Sequence, residues 1–267
     1  MEHGMRTAIC YYSGSGNTRL ACEYLARRLG TECDLHDITR DDASDLSAYD
    51  VVGFAASSDF GGMPKAFESF LAAIPPQSDK PAFVLATYGF ACGRVLSDLA
   101  EQASARGFQV IGGHKLHMPE SYPPMRATGL TFDRHPGTRE LRGFDAFAEE
   151  LRSALGTLSR GETPVAQPVS LGLIDGLRPA SPRTSARDDM GEKFVDAELC
   201  TECGTCAKQC VYGAIVLDPK PIFDMSECFG CWRCYNQCPQ HAIYTKKFRG
   251  GPFYGRPSEY ARGVLGS

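Results

Sequence analysis

Eight of the twelve cysteines in this 267-residue chain crowd between Cys200 and Cys238. They form two runs of the pattern C-x2-C-x2-C-x3-C: Cys200, Cys203, Cys206 and Cys210, then Cys228, Cys231, Cys234 and Cys238. Thiolates are soft ligands that select zinc or iron–sulfur clusters. Spacers of two residues let successive thiolates reach neighbouring irons of one cube, while the fourth cysteine begins a helical turn that points at the other cube. The spacing assigns Cys200, Cys203, Cys206 and Cys238 to one [4Fe–4S] cluster. Cys228, Cys231, Cys234 and Cys210 then hold a second. Zinc knuckles pair C-x2-C units across longer spacers, so this doubled run is a poor zinc pattern.

A second constellation lies near the start. The first strand-like run ends in Tyr12 and opens into Ser13, Gly14, Ser15, Gly16, Asn17 and Thr18, followed by a helical pattern. Backbone N–H groups converging at a helix N-terminus favour a phosphate. The side chains of Ser13, Ser15, Thr18 and Asn17 offer further donors. No lysine follows, so this is neither the nucleotide-triphosphatase loop nor G-x-G-x-x-G. Two more loops sit where strands three and four should end. One holds Ser58, Asp59, Phe60 and Gly61; the other holds Thr87, Tyr88, Gly89, Phe90 and Gly93. Phe60 in one, and Tyr88 or Phe90 in the other, could stack on a planar ring, or simply pack in a core.

The intervening elements would bring these loops together. Strand patterns start at Thr7, Cys33, Asp50, Pro81 and Phe108. Several are unbroken apolar runs, as parallel strands covered on both faces require. Helical patterns cover Asn17–Leu29, 64–74, 93–106 and 138–158, with Pro64 suited to a first helical turn. Alternating strands and helices imply right-handed crossovers and an open α/β sheet, in which ligands sit beyond the carboxyl ends of the strands. All three loops fall there. Residues 161–190, rich in Pro, Gly, Ser, Thr and Arg, read as a linker, with a short apolar stretch around 171–177. The domains are thus 1–160, the linker 161–190, a cysteine module at 191–245, and a basic, aromatic tail at 246–267. The tail reads as a solvated surface segment, or as a dock for an acidic partner.

The remaining residues bound the function. The net charge is −4 with no long run of like charges, so nucleic-acid binding is not suggested. No apolar run approaches a bilayer span and the start lacks a signal-peptide pattern, so we expect a cytoplasmic protein without membrane contact. Cys10, Cys22, Cys33 and Cys92 read as small buried hydrophobes. His114 and His117 read as structural histidines, with a proton-donor role as the alternative, and Trp232 as a shield between two cysteine ligands.

The loop of alternating hydroxyls and glycines resembles the flavodoxin phosphate loop, which holds the monophosphate of FMN. The cysteine module resembles bacterial two-cluster ferredoxins, with Pro239 after the last cysteine as in that family and Val211 where a proline is expected after Cys210. Together with Thr87-Tyr88-Gly89-Phe90 and Met118-Pro119-Glu120-Ser121-Tyr122, the order looks like fused flavodoxin–ferredoxin proteins of anaerobic bacteria and archaea. That resemblance implies a flavodoxin-like doubly wound five-stranded parallel sheet of order 2-1-3-4-5 and a C-terminal α+β ferredoxin domain. It also implies FMN, two [4Fe–4S] clusters and electron transfer to redox partner proteins. The module would meet the flavin within one chain or across a homodimer. A dedicated carrier for one partner reductase is the alternative to an enzyme with its own acceptor.

Overall fold

The computed structural model describes residues 5–41, 45–165, 169 and 184–266. Five parallel strands form the main sheet: β1 (Arg6–Tyr12), β2 (Glu32–Asp37), β3 (Val51–Ser57), β4 (Lys80–Tyr88) and β5 (Phe108–His117). Their order is β2-β1-β3-β4-β5, the doubly wound arrangement expected. Successive strand side chains point to opposite faces, and this splits each apolar run between two cores. Ile9 and Tyr11 of β1, with Phe83 and Leu85 of β4, meet α1 (Asn17–Leu29) and α5 (Thr138–Ser159) on one face. Ala8, Cys10 and Tyr12, with Val84 and Ala86, meet α2 (Lys65–Ala73) and α3 (Val95–Ala105) on the other. A fully buried Leu25 or Phe144 contributes about 1.5–3 kcal/mol by leaving water. Pro64 sits just outside α2 as its N-cap, and the helix begins at Lys65. A short α4 (Pro123–Ala127), which periodicity did not suggest, follows β5.

The cysteine module has its own small core around Met190, Trp232, Tyr235 and Ile243. Strand β6 (Lys193–Val195) pairs antiparallel with β9 (Ile243–Thr245), and β7 (Ile215–Asp218) with β8 (Lys220–Phe223). Each cysteine run feeds a short helix, α7 (Thr205–Lys208) and α8 (Arg233–Gln237).

Two sequence expectations need correction. The span read as linker ends in a helix, α6 (Thr184–Met190), and Met190 is buried in the module core. Gly230, at φ +70°, passes so close to the Ala186 backbone that a Cβ would lie 2.5 Å from its carbonyl carbon. A Pro- and Arg-rich composition masked this contact, which depends on a distant glycine, Gly230. The apolar stretch at 171–177 lies outside the described residues. The tail is likewise not a loose surface segment. Tyr254 is buried, and α9 (Glu259–Leu265) inserts Ala261 and Leu265 into the core beside α1. Arg249 pairs with Asp196 at 2.9 Å and Lys247 donates to the Asp189 carbonyl at 2.7 Å, so these two cations are spent within the chain.

Among the described residues no helix is long and apolar enough to cross a membrane.

Candidate functional site: a cavity between the sheet and the cysteine module

The carboxyl ends of β1, β3 and β4 open onto a cavity of about 350 Å³. Of the loop residues named from sequence, Gly14, Ser15 and Asn17 line it, as do Ser58, Asp59, Phe60 and Gly61, and Thr87, Tyr88, Gly89, Phe90 and Gly93. Ser13, Gly16 and Thr18 do not. Thr18 is fully buried, its hydroxyl 2.8 Å from that of Thr87. Ser13 Oγ accepts from the Arg19 amide at 3.3 Å. Asn17 is committed at both ends of its amide: Nδ2 donates to the Pro119 carbonyl at 2.8 Å and Oδ1 accepts from the Tyr254 hydroxyl at 2.9 Å. Toward the cavity the loop presents the Ser15 hydroxyl and backbone amides at the start of α1.

The second and third loops hold each other in place. Ser58 N donates to the Thr87 carbonyl at 2.7 Å, and Ser58 Oγ donates to that of Cys92 at 3.1 Å. Arg94 N donates to the Gly61 carbonyl at 2.6 Å. Gly93, at φ +59°, lets the two backbones touch, since a Cβ there would lie 2.2 Å from Gly61 O. A Gly93→Ala protein should lose about 2–4 kcal/mol of unfolding free energy through positive-φ strain and backbone overlap. The check is a lower urea midpoint at unchanged slope.

The segment 118–122 forms a further wall of the cavity. Glu120 organises it: its carboxylate accepts from the amides of Phe90, Ser121 and Tyr122 at 2.8–2.9 Å. Burial raises the Glu120 pKa, against the lowering effect of the Phe90 and Ser121 amides and Arg126.

The cysteine module closes the cavity. Gly230, Cys231, Trp232, Arg233 and Asn236 all line it. Asn236 Nδ2 donates to the Ser121 carbonyl at 3.0 Å, and Gln237 Nε2 reaches the Gly14 carbonyl at 3.4 Å. Tyr254 joins the parts, its amide donating to Asn236 and its hydroxyl to Asn17. Burial, and next the charge of Cys231, pushes the Tyr12 phenol well above its ordinary pKa, so a module thiol sits close to the end of β1. Val211 packs against the core on the α2/α3 face. An apolar contact between domains is what this residue supplies where a ferredoxin-type proline was expected.

The buried polar atoms around this cavity say what would fill it. Arg233 is 6% exposed, and its Nε and Nη1 have no hydrogen-bond partner. Its guanidinium lies 5.8 Å from the Tyr12 ring centroid, beside the entrance to the phosphate-type loop. Trp232 Nε1 and the Tyr122 hydroxyl are also buried and unpartnered on the same cavity. Orphaned donors cost about 1–3 kcal/mol each, and a buried cation costs more. An anionic, carbonyl-rich ligand satisfies all three, and the phosphate and ring oxygens of FMN fit that description. Aromatic walls come from Phe60 and Tyr122, whose centroids are 5.1 Å apart, and from Trp232.

Several module cysteines lie close enough to feel one another's charge. Cys234 feels Cys228 and Cys210, and Cys231 feels Cys234, while Cys206 feels Cys234 first and Cys238 next, so the charge couplings run across the whole module. A tetrahedral zinc with bonds of 2.3 Å needs sulfurs about 3.8 Å apart. Among the described residues, the three-ligand group that converges within 4.8 Å is His117, His135 and Glu140, which contains no cysteine. Lys193, 7% exposed, donates Nζ to Cys228 Sγ at 2.8 Å. Burial alone would lower its pKa, but the Cys234, Cys228 and Cys231 thiolates outweigh that and raise it.

Sequence reasoning missed Lys193, Asn236 and Tyr254, and passed over Arg233. Only Arg233 carried a signal, as a cation between two cysteines of the second run. His114 is a core residue, stacked on Phe144 and Phe147, and burial lowers its pKa to about 4.

Residues 8–101 match the flavodoxin domain family, and residues 221–244 match the 4Fe-4S binding domain family. No curated protein is significantly similar to this sequence. Solved structures similar to the chain include a flavodoxin from the domain Archaea, with 16% identity and a TM-score of 0.44, covering 57% of this chain and 99% of that one. A Streptococcus pneumonia TIGR4 flavodoxin is 20% identical with a TM-score of 0.44, covering 55% of this chain and 98% of its own. The rubredoxin oxygen:oxidoreductase of Desulfovibrio gigas is 18% identical with a TM-score of 0.46, covering 57% of this chain but only 36% of that longer one.

Proposed function

Because this chain joins a flavodoxin domain to a 4Fe–4S binding domain, we propose that it is an electron relay in which two clusters feed, or drain, an FMN held under the cysteine module. The observation that carries this reading is the shared cavity: Cys231, a ligand of the inner cluster, lines the same space as all three sheet-end loops. When bound, each cluster carries one electron and FMN one or two, so together they couple single-electron to paired-electron chemistry.

The chain's own residues supply binding, spacing and access. Ser15 and the backbone amides that open α1 hold the phosphate from one side, and Arg233 neutralises it from the other. Glu120 fixes the wall segment against the third loop. Trp232, 2% exposed, excludes water between the inner cluster and the cavity, and a dry, low-dielectric gap favours direct transfer over side reactions with solvent. Cys203, a ligand of the outer cluster, is exposed. Near it the β7–β8 hairpin shows Val216, Leu217 and Ile222, each at least 41% exposed. Leu217 packs 3.3 Å from where a Cβ of Gly204, next to Cys203, would sit. A redox partner would dock there, so that electrons pass from the outer cluster to the inner one and then to the flavin, or the reverse.

The module covers the cavity mouth with Gly230, Cys231, Trp232 and Arg233, so the flavin would face a cluster ligand directly. That favours the carrier reading over an enzyme with a substrate of its own. The test is anaerobic purification with metal, sulfide and flavin analysis. We expect about eight irons and one FMN per chain. Mutation Cys231→Ser should slow reduction of the bound FMN by dithionite-reduced clusters at least tenfold in stopped flow. Colourless protein, or zinc in place of iron and sulfide, would sink the proposal.

A further inference from the structure

A second cluster of ligating side chains lies beyond the flavin cavity, behind the third loop. We propose that His117, His135 and Glu140 bind one divalent transition-metal ion, zinc being the best match. The three come from separate elements: His117 ends β5, His135 lies in the loop after α4, and Glu140 sits in the first turn of α5. One ligand atom from each lies within 4.8 Å of the other two. His117 Nε2 and His135 Nδ1 are both shielded from solvent and both lack a hydrogen-bond partner. Two orphaned imidazole nitrogens on rings whose centroids lie 3.9 Å apart are costly in a folded chain and are repaid by a shared ligand.

The surroundings prepare His117 for that role. Its other ring nitrogen hydrogen-bonds the backbone of Gly89. A carbonyl partner on one nitrogen fixes the tautomer and presents the lone pair of the other, the arrangement found behind most metal-bound histidines. Tyr88 stacks on the same ring at 5.0 Å and 5°, and Phe132 packs at 4.8 Å, so its plane is set. Imidazole donors favour zinc and its first-row neighbours over calcium or magnesium, and two histidines with one carboxylate leave a position open for water. Binding at 2.0–2.1 Å would draw the ligand atoms to about 3.4 Å apart. Gly89 lines the flavin cavity, so the ion would stiffen the third loop from behind.

The inference is independent of the electron-relay reading and is tested separately. Protein loaded with its iron, sulfide and flavin is dialysed against a chelator, then titrated with zinc by equilibrium dialysis, with iron measured in the same samples. We expect about one zinc per chain with no loss of iron, and affinity at least tenfold weaker in His117→Gln and His135→Gln. Glu140→Gln should weaken it less, and His36→Gln, on the distant strand β2, not at all. If His117→Gln fails to retain flavin or fold, His135→Gln carries the comparison, because its side chain lies in a loop. Zinc uptake matched by iron release, or uptake that the histidine variants leave unchanged, would overturn the site, as would no uptake.

Discussion

An Arg233→Gln protein should bind FMN roughly 10–100-fold more weakly while riboflavin binding changes by less than about threefold. A charge-assisted hydrogen bond is worth about 1.5–3 kcal/mol, and each 1.4 kcal/mol is a factor of ten. The reasoning is local. Arg233 is buried, two of its nitrogens are unsatisfied, and it faces Tyr12, the residue that leads into the phosphate-type loop. From the same helix, Gln237 touches Gly14 of that loop. Riboflavin lacks the phosphate, so it isolates the charge contact. Equal weakening of both flavins would place the guanidinium on the ring; no change in either would mean that the inner cluster's negative charge alone satisfies it. Iron content should stay at the wild-type level, because glutamine leaves Cys231 and Cys234 in place. The comparison needs only fluorescence titration of flavin-stripped, cluster-loaded protein.

Much of this site is readable from sequence because its parts obey local rules. The cysteine runs announce an iron–sulfur module by their spacing, and the apolar strands specify a sheet whose carboxyl-end loops must converge. The order β2-β1-β3-β4-β5 follows. What sequence hides is the docking of one module on the other. Asn17 looks like a phosphate donor, yet its amide is consumed by Pro119 and Tyr254, which lie 102 and 237 residues away. Thr18 looks like another, but is spent on Thr87. Tyr254 lies in a segment whose basic composition suggests a solvated tail, and Met190 in one whose prolines suggest a linker. In each case a long-range contact overrides a local compositional signal, and one sequence carries no trace of which distant partner will supply it. Val211 is the clearest example. Against a ferredoxin pattern it is a missing proline, and only its contact with the sheet domain's core explains it.

Lys193 makes the second large prediction, at the proposed inner cluster. Lys193→Met should lower the potential of one cluster by roughly 50–100 mV and leave the other within error. Reduction adds negative charge to a cluster, and a buried ammonium 2.8 Å from Cys228 Sγ stabilises the reduced form more than the oxidised one. Water screens little of this, because the lysine is 7% exposed and its Nζ lies 5.6 Å from the Phe223 ring centroid. A charge-assisted hydrogen bond worth about 1.5–3 kcal/mol, felt partly by both redox states, converts to that range at about 59 mV per 1.4 kcal/mol for one electron. Selectivity follows from reach: the thiolates that act on Lys193 are Cys234, Cys228 and Cys231, all of the inner set. A redox titration followed by low-temperature electron paramagnetic resonance should therefore show one component shifting negative and one standing still. Lys193→Arg, which keeps the charge, should recover part of the shift. Equal movement of both components would mean that the substitution perturbed the whole module, and a stationary pair would mean that the ammonium does not discriminate between redox states. A selective shift would also show that the cluster beside the cavity is tuned separately from the exposed one, as a directional relay requires.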